Sequence, residues 1–117
     1  MPRLPWTAVS AVDPEAEYLM VTTQATLRRR RDLPRFAASA QTLWASLQQA
    51  DGLIGYGFHT APIRGTLATV SAWRDRDTLL AFTSGPAHQR AISETRDLIT
   101  GSRIRSWITT GLQLPQR

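Results

Sequence analysis

The chain has 117 residues, a formal net charge of +5 and no cysteine. This length is typical of one domain that buries roughly two-thirds of its unfolded surface. The lack of cysteine excludes disulfides, thiolate metal sites and cysteine nucleophiles, and two histidines are too few for a multi-histidine metal site. No apolar run approaches the ~20 residues that span a bilayer, and no stretch near the N-terminus resembles a secretory signal. We therefore expect a cytoplasmic protein that does not bind membranes.

The basic residues are all arginine, and their densest run is Arg28–Arg31. Such a run could contact phosphate groups. It lies, however, between a predicted strand and a predicted helix, and no aromatic residues are interleaved with it. Charge runs of this kind are usually solvated. We interpret the run as a solvated turn and expect no nucleic-acid partner.

The first half of the chain predicts an extended arm, a strand and a helix. Residues 1–16 read as a Pro-containing arm, and β-branched residues mark a strand over 18–27. Asp32 is predicted to cap a helix that carries Pro34 in its first turn and that ends before Asp51-Gly52. The helix has an apolar stripe with a 3.6-residue period: Leu33, Phe36, Ala37, Ala40, Leu43, Trp44 and Leu47.

Two strands follow, over residues 53–60 and 66–73, joined by a turn at 62–65. In the first of them, Gly55 and Gly57 lie on one face, and Tyr56 and Phe58 on the other. His59 shares the glycine face, which leaves space beside it for a pocket or for close backbone packing.

The last part of the chain predicts a broken helix and a strand. Asp75 caps the helix, Gly85-Pro86 interrupts and restarts it, and Gly101 closes it before a strand over 102–110. The restarted segment presents a row of side chains on one side: His88, Ala91, Ile92, Thr95 and Leu98.

The element order βαββαβ predicts an α+β fold of the ferredoxin-like kind, with a four-stranded antiparallel sheet and both helices on one face. We expect a domain over residues 17–111, the arm over 1–16 and a tail over 112–117. The sheet face without helices still carries apolar residues. Packing of two such faces against each other would bury them, so the pattern predicts a homodimer.

One segment resembles a known family. Val70-Ser-Ala-Trp73, then Leu79 and Phe82, then Ser84-Gly-Pro-Ala-His88 with Ala91, is similar to the bacterial antibiotic-biosynthesis monooxygenase group of dimeric α+β barrels. The similarity extends in particular to a branch of bacterial proteins related to spheroidene monooxygenases. It implies a ligand pocket between the sheet and the helices of each subunit.

The resemblance implies a small oxygenase that oxidises a hydrophobic, aromatic metabolite without a cofactor or metal. His88 and His59 are then the candidates for proton transfer. The substrate would be held by aromatic side chains, namely Trp73, Tyr56, Trp44 and Phe36. The cofactor-free oxygenases of this group use a pocket Asn, whereas this chain contains none.

Two other functions stay open. The first is a protein that binds b-type haem through His88, although Ile92 stands where haem-degrading relatives place their iron ligand. The second is a non-catalytic dimer that binds a small ligand or acts in a stress response. Each candidate residue also has a structural interpretation: His88 as a packed histidine at the helix break, and Trp44, Trp73, Trp107 and Tyr56 as core. Arg103 and Arg105 are predicted to face solvent or an interface.

Overall fold

Five antiparallel strands form one sheet in the order β1-β3-β4-β2-β5 in the computed structural model, which describes residues 6–61 and 63–114. The strands are β1 (Thr7–Ala8), β2 (Glu17–Leu27), β3 (Leu53–Ala61), β4 (Thr66–Trp73) and β5 (Ile99–Thr110). The helices are α1 (Leu33–Leu47), α2 (Arg76–Thr83) and α3 (Pro86–Thr95). The predicted ferredoxin-like α+β fold is confirmed, with five strands instead of four. None of the described helices is both long and apolar enough to cross a membrane.

Strand β2 lies between β4 and β5, and its side chains point alternately to the two faces of the sheet. Leu19 is paired with Trp73 of β4, and both pack against Leu47 of α1. The neighbouring residues Tyr18 and Met20 point to the opposite face, because successive side chains of a strand alternate. The alternation of residues along β2 therefore determines which of its side chains the helices cover.

The core on the helix side consists of two clusters. One joins the sheet to the end of α1 and to α2, and the other joins the sheet to the start of α1. The first contains Leu19, Leu47, Leu53 and Trp73, and the second contains Ala25, Leu27, Phe36, Leu67 and Leu98. Phe36 is thus held in the second cluster, whereas Trp73 lies in the first.

The N-terminal arm covers part of the sheet face that carries no helix. Its described part includes the extended strand β1, which pairs with β3 at the edge of the sheet, a pairing that the sequence does not predict. A Cβ atom at Gly55 would overlap the Trp6 indole, so this glycine lets the arm lie directly on the sheet. The Asp13 N–H donates to the Tyr18 hydroxyl at 2.9 Å.

The described part of the C-terminal segment lies on the same face, where Leu114 is buried against the cluster of Tyr18 and Met20. Residues 1–5 of the predicted arm and 115–117 of the predicted tail lie outside the described residues. The chain's own segments therefore cover much of the apolar surface of this face, whereas Trp107, on the same face, stays 46% exposed. The exposed apolar area on which the prediction of a dimer with opposed sheets was based is smaller than the sequence suggests. The dimer stays a prediction.

Several predicted helix boundaries need correction. Asp32 stands at the N-terminus of α1 without a side-chain capping bond, whereas Asp75 forms a reciprocal capping box with Thr78, as expected for that position. Gly101 does not close a helix, because α3 ends at Thr95 and Gly101 lies inside β5. Within the restarted segment, Ile92 is exposed instead of packed.

Strand β5 is an edge strand, and its Trp107 lies on the helix-free face of the sheet, opposite Met20 of β2. Trp107, predicted as core, is 46% exposed there. Arg103 and Arg105 are exposed, as predicted. The arginine run forms an exposed turn, as expected, with Arg28 Nη2 donating to the carbonyl of Ile99 at 3.3 Å.

Candidate functional site

A pocket of about 100 Å³ lies between the sheet and the three helices. Strands β2, β3 and β4 form its floor, α1 and α2 form its walls, and His88 of α3 lies at one side. The residues that line it are Val21, Thr23, Leu43, Trp44, Leu47, Tyr56, Thr69, Val70, Ser71, Trp73, Leu79, Phe82, Thr83 and His88.

The walls of the pocket are aromatic and closely packed. The rings of Trp44 and Tyr56 meet edge to face at a centroid distance of 5.4 Å. Trp73 and Phe82 also lie 5.4 Å apart, and Trp73 is only 1% exposed. Such packing fixes the rings and offers flat surfaces to a planar ligand. The arrangement suits an aromatic compound.

His88 is placed at the pocket by the break between α2 and α3. Gly85 stands at the N-terminus of α3 and Pro86 occupies its first turn, where a missing N–H leaves no unsatisfied donor. The His88 ring lies 5.9 Å from that of Phe82, and its Nδ1 is buried without a hydrogen-bond partner among the described residues. Burial lowers the pKa of His88 from 6.5, and a weaker effect, a hydrogen bond with the backbone of Thr83, acts to raise it. The imidazole is therefore neutral at pH 7 and can accept a proton.

Three hydroxyl side chains lie on the floor of the pocket, and we call Thr23, Thr69 and Ser71 the hydroxyl row. Thr23 of β2 is directly opposite Thr69 of β4, and Ser71 follows two residues later on the same face. The Trp73 Nε1–H donates to the Ser71 Oγ at 2.9 Å. This bond fixes the Ser71 side chain and leaves its own hydrogen free to donate elsewhere.

The pocket brings together four of the six residues proposed from the sequence: His88, Trp73, Tyr56 and Trp44. His59 is exposed on the sheet face away from the helices, and Phe36 is buried in the other core cluster. Neither of these two residues lines the pocket.

Sequence reasoning missed the hydroxyl row and Phe82 as pocket residues. A signal for the row was present, because Ser71 and Thr69 alternate with Val70 and Ala72 and share a face with Trp73. Placing Trp73 in the pocket therefore also places these two hydroxyls there.

A larger depression of about 500 Å³ lies beside α2 on the surface. Three of its four charged side chains are already engaged with one another. Arg74 pairs with Asp51 at 3.1 Å and with Asp75 at 3.5 Å, and Asp75 also caps α2. We therefore place the functional site in the smaller aromatic pocket.

The aromatic pocket does not fit haem. Pockets for drug-sized ligands have volumes of about 300–1,000 Å³, and the macrocycle needs more than the 100 Å³ found here. Ile92, at the position where haem-degrading relatives carry their ligand, is exposed on α3. Among the described residues, no group of three His, Asp or Glu side chains is placed to hold a metal ion.

The burial of His88 predicts a pH-dependent stability. Because the folded-state pKa lies below the unfolded value, the unfolded chain binds this proton more readily. The free energy of unfolding should therefore be highest above about pH 6.5 and should fall as the pH drops towards about pH 5. Asp75, whose pKa the backbone N–H of Thr78 lowers from 3.8, titrates below this window.

Urea unfolding at about pH 7.5 and about pH 5 measures this effect. We expect the His88→Gln variant to lose less stability between the two pH values than the wild type does. His59→Gln, at an exposed position, is the matched control and should behave like the wild type. An equal loss in His88→Gln and wild type would contradict the prediction.

No family model and no curated protein matches the chain. Solved structures do share its fold. A candidate antibiotic biosynthesis monooxygenase from Caulobacter crescentus CB15 has a TM-score of 0.72 and 13% identity, over 79% of this chain and 89% of that protein. A conserved protein from Methanosarcina mazei Go1 has a TM-score of 0.71 and 13% identity, over 77% and 90%.

A candidate antibiotic biosynthesis monooxygenase from Nitrosomonas europaea gives a TM-score of 0.68 at 11% identity, over 85% of this chain and 93% of that protein. These matches confirm that the chain has the fold of antibiotic-biosynthesis monooxygenase-like proteins. Identities this low establish the fold alone. The resemblance to the spheroidene-related branch stays a prediction.

Proposed function

We propose that the chain is a small monooxygenase that oxidises an electron-rich aromatic ring in the pocket between sheet and helices, without a bound cofactor. The observation that carries the proposal is a His88 side chain that lines an aromatic pocket, with a lowered pKa and with an Nδ1 that is buried and has no hydrogen-bond partner among the described residues. A base whose Nδ1 has no hydrogen-bond partner among the described residues is suited to take a proton from a ligand. The shared fold with candidate monooxygenases supports the same assignment.

The chemistry can proceed with dioxygen as the only second substrate. A hydroquinone gives its hydroxyl proton to His88 Nδ1, and the resulting anion is electron-rich enough to transfer electrons to dioxygen. A carbon–oxygen bond then forms at a ring carbon, and the oxygen–oxygen bond breaks. One oxygen atom stays on the ring, and the other leaves as water. Hydroquinone plus dioxygen thereby gives hydroxyquinone plus water, and the ring supplies all the electrons.

Oxygen uptake in the presence of hydroquinones and anthrone-type compounds tests the proposal. We expect saturable uptake above the rate of spontaneous oxidation in buffer, with one dioxygen consumed for each hydroxyquinone formed. The pocket volume predicts faster turnover of single-ring compounds than of tricyclic ones. Saturable binding with no uptake above the buffer rate would instead support the non-catalytic ligand-binding protein.

The homodimer is part of the same proposal. The matched structures support the homodimer indirectly, because they have the fold of the dimeric barrel group that the sequence resembles. The pocket lies within one subunit, so the proposed chemistry does not depend on a second copy.

A further inference from the structure

The hydroxyl row has no role in the function proposed so far. Thr23, Thr69 and Ser71 occupy the floor of a pocket whose other lining residues are aromatic or aliphatic, apart from His88 and Thr83. The Thr83 hydroxyl donates to the carbonyl of Leu80 in its own helix. Hydroxyl groups in such surroundings favour a ligand that offers hydrogen-bond acceptors, because an apolar ligand would leave them unsatisfied.

We propose that the hydroxyl row binds the oxygen atom of a single-ring phenol or hydroquinone and stabilises its ionised form. This inference rests on the proposed function, because it assigns the substrate class of the same pocket. The row supplies donors on the floor, while His88 Nδ1 supplies the proton acceptor at the side.

The geometry of two adjacent strands brings the donors together. Thr23 and Thr69 are direct cross-strand partners, and the Cβ atoms of such pairs lie about 4.5–5.5 Å apart. Ser71 stands on the same face, beside Thr69 along β4. Because Ser71 Oγ accepts the Trp73 indole N–H, its hydrogen is directed elsewhere. One ligand oxygen can therefore meet donors from both strands.

The absence of charged side chains among the described residues that line the pocket favours some oxygen-bearing ligands over others. Of the described residues that line it, none carries a formal charge when His88 is neutral. Carboxylates and phosphates are usually met by arginine or lysine, which can form charge-assisted bonds. Neutral hydroxyl donors are better matched to a phenol, whose charge appears only when its proton leaves.

The volume of the pocket limits the ligand to one ring. A protein cavity of about 150 Å³ can hold a benzene molecule. The 100 Å³ found here is about a third smaller, so a single ring is accommodated only with part of it in the open mouth of the pocket. The lining residue Trp73 and its neighbour Leu53 are almost fully buried, so the floor offers no further space. A single ring is therefore the upper limit for this conformation of the pocket.

Binding of 4-fluorophenol, with fluorobenzene as the matched ligand without oxygen, tests the proposal by ¹⁹F NMR. We expect Ser71→Ala and Thr69→Val each to weaken 4-fluorophenol binding by about three- to tenfold, the effect of one neutral hydrogen bond. Fluorobenzene affinity should stay within about twofold. Thr22→Val is the control, because Thr22 neighbours Thr23 on β2 but points to the opposite face. The ¹⁹F shift also reports how far the bound phenol is ionised.

The outcomes separate this inference from the proposed function. Equal losses for both ligands would mean that the hydroxyls only shape the pocket, and failure of the wild type to bind 4-fluorophenol would also overturn the inference. Row-dependent phenol binding without oxygen uptake from any hydroquinone would uphold the inference and overturn the oxygenase function. Circular dichroism of each variant checks that the fold is retained.

Discussion

Replacement of Trp73 by alanine is expected to lower the free energy of unfolding by about 3–5 kcal/mol. Trp73 is 1% exposed and packs against Leu19, Leu47 and Leu53 at the centre of the helix-side core. The substitution removes these contacts, leaves a cavity beside the functional pocket and removes the donor that holds Ser71 Oγ.

Trp107→Ala is the matched control, because Trp107 is 46% exposed on the edge strand. In the monomer this variant should lose less than about 1 kcal/mol, as substitutions at exposed positions usually do. Both variants are compared at a protein concentration at which the wild type is monomeric, because Trp107 lies on the face that the proposed dimer would bury. Urea unfolding followed by far-ultraviolet circular dichroism compares the two without relying on tryptophan fluorescence. Similar losses in both variants would show that the two indoles are equally important to the core, contrary to the structure.

The contrast between these tryptophans shows what the sequence can establish about the fold. Alternation in β4 places Trp73 on the face that the neighbouring helices must cover. The predicted order of the strands and helices on either side of β4 also agrees with the structure. The same alternation cannot show that β5 is an edge strand, nor that Trp107 lies on the helix-free face beside Met20. Trp107 was therefore predicted as core, whereas the order of the strands leaves it exposed.

The arm illustrates a contact between distant parts of the chain that local patterns do not reveal. Strand β1 has only two residues, too few for a period to be recognised. Gly55 is required because Trp6 lies directly against it, about fifty positions away along the chain. The sequence alone was consistent with a pocket beside this glycine, and the space is instead filled by the indole.

The packing of the two sheet faces also shows which of the two histidines lies in the pocket. The sequence offered both as bases, and strand alternation already placed His59 on the face of Gly55 and Gly57. Which face the helices cover depends on how the whole sheet packs. The structure puts His59 on the exposed face and His88 in the aromatic pocket. Only His88 combines burial with an unpartnered ring nitrogen.

His88→Gln is expected to reduce oxygen uptake with a reactive hydroquinone by about 10²–10⁴-fold, the usual contribution of a positioned general base. Glutamine retains polarity and similar length but cannot accept the proton at neutral pH. His59→Gln should retain wild-type uptake, because His59 does not line the pocket. Circular dichroism and 4-fluorophenol binding must show that the His88 variant is folded and still binds a phenol.

The pH dependence of the wild type gives an independent test of the same role. A general base must be deprotonated before it acts, so kcat/KM should fall on the acid side with an apparent pKa that belongs to His88 in the free enzyme. Burial lowers this pKa from 6.5, so the acid limb should lie below pH 6.5. The limb should disappear from the residual activity of His88→Gln and persist in His59→Gln. If it persists in both, or if His88→Gln retains full activity, another group accepts the proton and His88 serves the packing of the helix break.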